Sequence, residues 1–341
     1  MKNYGCVVPS AILILIMSLG LTGCGGGNGG APSGNPGVNP GSGTTYTAGQ
    51  SSTYLIYEVK FNMHYVPGGL TFPTDHDDKT IGTPTVADAY WIAETEATYQ
   101  LWDKVKTWAT TIPYEIYTFS LGGHLGSSNA GSYQQPVLVV TWRNAMIWCN
   151  ALTEYYNYRN GTNYACVYCT DTTYTTPIRS CDDIYPDAST IEPGKEDNPY
   201  INPAAKGFRL PTSNEWELAA RYKDGINWTP GNYASGATAD YNDVAATAAV
   251  AVIRPQHDTG RTAVVKSKIA NALGLYDMSG NAFEWCFDWH PDHKNEFRVS
   301  RGGSYIYTGG SYLGIGHVKS YLPSQADTLS NEDGFRFVRT Q

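Results

Sequence analysis

Apolar positions recur along this chain in three rhythms, and each rhythm predicts an element. An apolar run from Ala11 to Leu21 follows Lys2 and is shorter than the about 20 helical residues that span a bilayer, so it predicts a secretory signal rather than an anchor helix. Spacings of three and four predict three amphipathic helices. The first runs from a cap at Thr95 to about Ala109 with Leu101, Val105 and Trp108 on its buried stripe. The second opens at Thr141 and carries Ala145, Trp148, Cys149, Leu152 and Tyr155 along one side. The third has the fullest start signal, a Thr212/Glu215 capping box after Pro211, and stops at Gly225. Shorter apolar stretches at Tyr54 to Met63, Gln135 to Val140 and Gly334 to Val338 predict strands, so the fold class is α+β with few helices around short antiparallel sheets and much loop.

Between signal and domain lies a different kind of chain. Residues 25–52 hold ten Gly, three Pro and no charged side chain, a composition that cannot bury enough apolar surface to offset the entropy of ordering. As a Gly-rich coil its mean reach is on the order of 30 Å, about 5–6 Å times the square root of its length. The expected organisation is a signal at 1–23, a tether at 24–52 and one domain at 53–341, close to the upper size of a single hydrophobic core. No repeat of fixed period interrupts it, and the polar stretch from Asp182 to Ala205 reads as a long excursion loop.

Charge narrows the function. Lys+Arg 23 against Asp+Glu 31 gives −8, which leaves no basic surplus for nucleic acid. With Tyr 26 against Phe 9, and Gly 36 and Pro 19 to supply turns, the composition is that of a loop-rich protein that displays tyrosine.

Five thiols remain if Cys6 leaves with the signal and Cys24 is modified: Cys149, Cys166, Cys169, Cys181 and Cys286. Cys166 and Cys169 have the spacing of a zinc or redox pair, but a redox pair normally opens a helix and a zinc site needs four ligands. If Ala165 to Cys169 and Pro177 to Cys181 form a hairpin centred between Thr173 and Tyr174, Cys166 faces Cys181, and a structural disulfide is expected there. Cys149 and Cys286 adjoin tryptophans and read as small buried hydrophobes. The runs Asp75 to Asp78 and Asp288 to His293 have metal-like composition but read as solvated loops.

Several blocks carry a resemblance. Leu21-Thr22-Gly23-Cys24 resembles the lipobox of bacterial lipoproteins, which implies cleavage before Cys24, acylation of its thiol and a chain exported and lipid-anchored in the cell envelope, at the outer membrane or cell surface. Gly207 to Arg221, Leu273 to Trp285, Arg301 to Ser304 and Gly334 to Arg336 resemble, in order, the signature blocks of the formylglycine-generating enzyme (sulfatase-modifying factor) family. That resemblance covers most of residues 55–341 and implies a C-type-lectin-like fold with its termini in one sheet.

The resemblance also implies sites, residue by residue. The family's oxidases bind copper through two cysteines five residues apart after the Gly-Gly-Ser block; the matching positions are Tyr307 and Tyr312. A phenol does not replace a thiolate toward Cu(I), so no copper and no formylglycine formation are expected. The iron-dependent sulfoxide synthase branch uses histidines of an additional helical domain, and none is read before this one. The family's calcium site matches Asp277, Gly280, Ala282 and Glu284: two carboxylates at i and i+7 around a tight loop suit a hard, oxygen-seeking cation. The alternative is that Asp277 caps a turn and Glu284 pairs with a buried arginine.

The stretch 305–331 has the composition of a paratope, with Tyr, Ser and Gly four times each. In place and composition it resembles the variable regions of lectin-fold lipoproteins diversified by retroelements in spirochaetes. Tyr305, Tyr307, Ser311, Tyr312, His317, Ser320 and Tyr321 are the candidate ligand-binding residues, with a protein or glycan as partner. The expectation is a tethered, non-catalytic binding lipoprotein; the alternative is an oxidoreductase of the formylglycine-generating type working through unfamiliar ligands.

Overall fold

The computed structural model describes residues 45–76, 79–111, 117–181, 191–254, 261–317, 319–321 and 332–341, with backbone alone at 75, 76, 79–81 and 319–321. All of them fall in the unit Pro36–Gln341. The signal, Cys24, the tether up to residue 44, Asp77, Asp78 and 322–331 lie outside the described residues.

The strands that build the framework are β1 (Ser51–Ile56), β2 (Val59–Val66), β3 (Tyr90–Ala93), β4 (Phe208–Arg209), β5 (Phe283–Trp289), β6 (Arg298–Arg301), β7 (Lys319–Tyr321), β8 (Asp333–Phe335) and β9 (Val338–Thr340). One sheet has the order β1-β2-β3-β9-β4 and a second the order β7-β6-β5-β8. Within them only β5 and β8 run parallel. First and last strands therefore share a sheet, as the resemblance implies. The chain leaves the second sheet at Phe335 and enters the first at Val338, so Arg336 and Phe337 form the bridge between them.

The predicted strand Tyr54 to Met63 is two strands. Tyr57 adopts φ 55°, the left-handed region, and turns the chain back so that Ile56 pairs with Val59. The predicted strand Gly334 to Val338 likewise divides at Arg336, and of Gln135 to Val140 only Val137–Leu138 is extended in a ladder.

The helices are α1 (Tyr99–Thr111), α2 (Trp142–Asn160), α3 (Ser213–Arg221) and α4 (Val244–Val250). α1 starts a turn later than expected, because the Thr98 hydroxyl rather than that of Thr95 accepts from the Leu101 amide (3.2 Å). Trp102 takes the core position and Trp108 is only half-buried, stacked on Tyr155 with centroids 4.6 Å apart. α2 opens at Thr141 as expected and ends at Gly161, whose φ of 66° completes the left-handed cap. α3 begins with the Thr212/Glu215 capping box and ends at Arg221, where Tyr222 turns extended to bridge Trp228. α4 is a short alanine-rich helix that the pattern does not predict.

The core centres on stacked Trp102 and Trp148 (6.0 Å, 11°), with Phe335 set edge-on to both. Such ring pairs add about 0.5–1.5 kcal/mol each beyond the area they bury.

The expected disulfide is not formed: Cys166 and Cys181 are separate buried thiols. The hairpin is centred on Thr173, since Thr170 donates to the Thr176 carbonyl and Ile178 to that of Tyr168. That is one residue off the expected register, and a slip of one turns every facing partner to the other side. Asn150 and Asn144 on α2 then hold the two thiols apart: Cys166 Sγ lies 3.7 Å from the Asn150 carbonyl, and Asn144 Nδ2 donates to Cys181 Sγ at 2.8 Å. All five cysteines are buried, and burial raises the Cys149 and Cys286 thiols well above the ordinary range. In an Ellman titration the native domain is expected to react at none of the five within minutes, and the unfolded domain at all five. An unfolded count lower by two would restore the bridge.

Candidate functional site

The Gly-Gly-Ser turn sets the frame of the candidate ligand surface. Gly303 has φ 75°, and a Cβ there would stand 2.4 Å from the Tyr312 carbonyl, so only glycine lets the two segments touch. Arg301, at the end of β6, is buried and ties the frame together. Its Nε and Nη2 donate to Ser213 Oγ (3.0 and 2.6 Å), Nη2 to Glu217 Oε2 (2.9 Å), and Nη1 to the carbonyls of Ile315 and His317 (3.2 and 3.3 Å). Ser304 Oγ donates to Glu332 Oε2 (2.7 Å) and closes the other side.

On this frame the candidate residues separate into two groups. Tyr305 is in the core, 6% exposed, with its amide donating to the Asn281 carbonyl (3.1 Å), and so is corrected from surface to scaffold. Its side chain points inward because it directly follows the buried Arg301–Ser304 block. Tyr307 is half-buried, edge-on to Phe283 and beside the small cluster of Val250, Ala251, Ile253 and Leu313. Tyr312 is 43% exposed, stacks on Tyr307 (4.5 Å, 15°) and meets His317 edge-on (4.7 Å). Ser311 opens the short 3-10 turn Ser311–Leu313 and is half-buried. Ser320 and Tyr321 sit on β7, paired with Val299 and Arg298, and their side chains lie outside the described residues. Tyr307, Tyr312 and His317 thus form one continuous aromatic patch.

A cavity of about 340 Å³ adjoins the frame, lined by Asn214, Glu217, Asp288, Trp289, Arg301 and Gly316 among others. Asp288 lines it, its Oδ2 accepting the Ser213 amide at the start of α3. Burial keeps the Asp288 carboxyl above its ordinary range. His290 and His293 lie on a partly exposed turn, where His293 Nδ1 is 3.5 Å from Glu296.

The calcium-motif residues are buried at the junction of the two sheets. Asp277 (φ 56°), Gly280 (φ 75°) and Asn281 (φ 59°) fold the tight loop, and a Cβ at Gly280 would meet the Val252 carbonyl at 2.5 Å. Glu284 on β5 is fully buried and engaged. Arg336 donates to it from Nε (3.2 and 3.0 Å) and Nη2 (2.8 Å), and Trp216 Nε1 donates to Oε2 (2.6 Å). Asp277 Oδ2 accepts the Lys266 amide (2.8 Å), while its Oδ1 is buried and accepts nothing. Beside them is a residue that the sequence pattern passes over. Glu96 is 1% exposed, and neither of its carboxylate oxygens accepts a hydrogen bond from another residue. Burial, and after it the charges of Asp277 and Glu284, push the Glu96 carboxyl well above its usual range; burial likewise raises Asp277 to about 6. As a test of the implied calcium site, then, Asp277 fits but the oxygens of Glu284 are already satisfied.

The fold is thus a loop-rich lectin-like scaffold that carries an aromatic patch at its Gly-Gly-Ser turn. The model of the sulfatase-modifying factor enzyme 1-like domain matches residues 59–341, and the chain belongs to that family. The chaperone protein LppX of Paenibacillus barcinonensis is 27% identical over 305 residues, covering 83% of this chain and 91% of that protein. The formylglycine-generating enzyme of Streptomyces coelicolor is 33% identical over 156 residues, 38% of this chain and 46% of the enzyme. The inactive C-alpha-formylglycine-generating enzyme 2 of Bos taurus is 30% identical over 148 residues, 39% of this chain and 44% of that protein. The matched region thus spans less than half of each of these two relatives. Among solved structures, Treponema denticola variable protein 1 superposes with TM-score 0.63 at 27% identity, covering 85% of this chain and 99% of that one. A relative named as an enzyme and one named as inactive are about equally similar, so activity has to be argued from the site.

Proposed function

We propose that this chain is a lipid-anchored, non-catalytic binding protein of the bacterial envelope that uses the Tyr307, Tyr312 and His317 patch to engage a protein or glycan. The observation that carries this reading is the Tyr307–Tyr312 stack. By the family resemblance these positions correspond to the cysteine pair of the family's oxidases, and here two stacked phenol rings stand there, one of them 43% exposed. Stacked aromatics present rigid, amphipathic contact area at low entropic cost, which suits recognition and gives Cu(I) no thiolate. The near full-length likeness to LppX and to the Treponema variable protein supports the reading, as does the existence of an inactive relative. The lipobox at Leu21–Cys24 and the uncharged tether after it supply the attachment.

Copper is the decisive probe. Titration of the purified chain with Cu(I) against a competing chelator is expected to show no stoichiometric uptake, and incubation with a cysteine peptide and oxygen to yield no aldehyde. Uptake of one copper with peptide oxidation would replace this reading with the oxidoreductase one.

A further inference from the structure

The cavity beside the Gly-Gly-Ser frame is bordered by polar groups of two kinds, those the scaffold has used and those it leaves open. Arg301 and Glu217 are of the first kind. All the N–H groups of Arg301 are engaged, and Glu217 accepts Arg221 Nε at Oε1 (2.7 Å) as well as Arg301 at Oε2. Three other groups on the lining keep capacity for a ligand. Asp288 Oδ2 accepts the Ser213 amide, while its Oδ1 accepts nothing from another described residue. The Asn214 side chain is exposed and pairs with no described residue. Ser213 Oγ receives two bonds from Arg301, and its own proton meets no acceptor among the described residues.

Trp289, Pro291 and Val299 supply the apolar part of the lining. The indole of Trp289 is held in place from behind. The buried Arg298 guanidinium lies 3.5 Å from its centroid and 3.7 Å from that of Trp142, so it is clamped between two indoles. Arg298 is fixed in turn by donating to the carbonyls of Phe287 and Asp197. The part of the Trp289 ring that Arg298 leaves uncovered borders the cavity, and a wall fixed in advance costs a ligand little ordering. At about 340 Å³ the space lies near the lower end of small-molecule pockets, roughly 300–1,000 Å³, which suits a single ring-sized group.

Charge then selects the class of ligand. A cation would meet Arg301 and, behind Trp289, Arg298, whereas an anion would meet Asp288 and Glu217. A wholly apolar group would strip water from Asp288 Oδ1 and return no donor, which is costly. What remains is a neutral molecule with several hydroxyls and an apolar face. We propose that this cavity is a subsite for one neutral sugar ring, whose hydroxyls bond to Asp288, Asn214 and Ser213 while its C–H face lies against Trp289. A carboxylate and a carboxamide each present two polar atoms in one plane, an arrangement that matches neighbouring hydroxyls on a ring. The subsite is separate from the aromatic patch and does not depend on it, although the two adjoin: Gly316 lines the cavity and His317 belongs to the patch.

The test is saturation-transfer NMR on the purified chain with the methyl glycosides of glucose, galactose, mannose, rhamnose and N-acetylglucosamine. The methyl glycosides of glucuronic acid and glucosamine serve as charged controls. At least one neutral glycoside is expected to bind with Kd on the order of 1 mM, and neither charged control to bind as well. Asn214→Ala alters an exposed side chain without a structural partner, so it should fold as the wild type does and weaken binding about three- to tenfold. Asp288→Asn keeps an oxygen for the Ser213 amide and should weaken binding by about tenfold or more. If Asp288→Asn fails to fold, Asn214→Ala decides alone. Tyr312→Ala should leave the sugar affinity unchanged. Binding lost in Tyr312→Ala but retained in Asn214→Ala would place the sugar on the aromatic patch, overturning this subsite while leaving the proposed function intact. Transfer to none of the neutral glycosides, tighter binding of a charged control, or full affinity in Asn214→Ala would overturn the proposal.

Discussion

Glu284→Gln is expected to destabilise the protein by about 3–5 kcal/mol, the cost of leaving one member of a buried ion pair uncompensated. Both side chains are 0% exposed, so no water takes over when the charge is lost. Arg336 sits where the chain passes from the second sheet to the first, and its donors also reach the carbonyls of Ala93 and Tyr276. The carboxylate holds the guanidinium in the orientation that makes those other bonds. Arg336→Met should therefore cost a similar amount, and the double variant with Glu284→Gln should cost clearly less than the two singles added, because one interaction has been removed twice. Urea unfolding followed by tryptophan fluorescence measures all three. A Glu284→Gln loss below about 1 kcal/mol would show that the pair is not the clasp between the sheets.

What could be read beforehand follows how local each signal is. The capping box at Thr212/Glu215 and the cap at Thr141 are decided within four residues, and both helices start where the sequence places them. The turn at Tyr57 is not legible, because a tyrosine at φ 55° carries none of the Gly or Asn marking that usually announces a left-handed residue. α4 escapes for the opposite reason: Val244–Val250 is too short and too uniformly small to show a periodic stripe, and only the cap at Asp243 signals it. The hairpin between Cys166 and Cys181 is present, but its register depends on Asn150 of α2, whose Nδ2 donates to the carbonyls of Tyr168 and Ile178 (2.8 and 3.0 Å). No local pattern contains that information.

The same distinction explains the candidate site. Glu284 and Asp277 stand out because they lie seven residues apart in one block. Glu96 does not, since an acid just before a helix reads as an ordinary first-turn charge, and its meaning depends on Asp277 and Arg336 far along the chain. Composition identified the tyrosine-rich stretch without giving the direction of any ring. Tyr305 and Tyr307 are two residues apart and differ in burial because the Gly-Gly-Ser turn delivers the first into the core before the chain emerges.

That difference yields a contrast large enough to measure. Tyr305→Ala is expected to lose about 3–5 kcal/mol of stability, by analogy with other large aromatics whose removal leaves a buried cavity. Tyr312→Ala removes a ring that is 43% exposed and forfeits mainly the stack on Tyr307, so its loss should stay within about 1.5 kcal/mol. In binding the order should reverse. Once a partner has been found by screening immobilised glycans and envelope proteins, Tyr312→Ala should weaken it by at least about 2 kcal/mol, roughly thirtyfold in Kd, as expected of an aromatic anchor at the centre of an interface. His317→Ala, which removes the edge contact at 4.7 Å, should weaken it less. A partner whose affinity is unchanged by Tyr312→Ala binds elsewhere on the scaffold, and the cavity bounded by Asp288, Trp289 and Arg301 becomes the surface to mutate next. If instead Tyr312→Ala melts the domain as far as Tyr305→Ala does, the Tyr307–Tyr312 stack is part of the core and the patch is not free to bind at all.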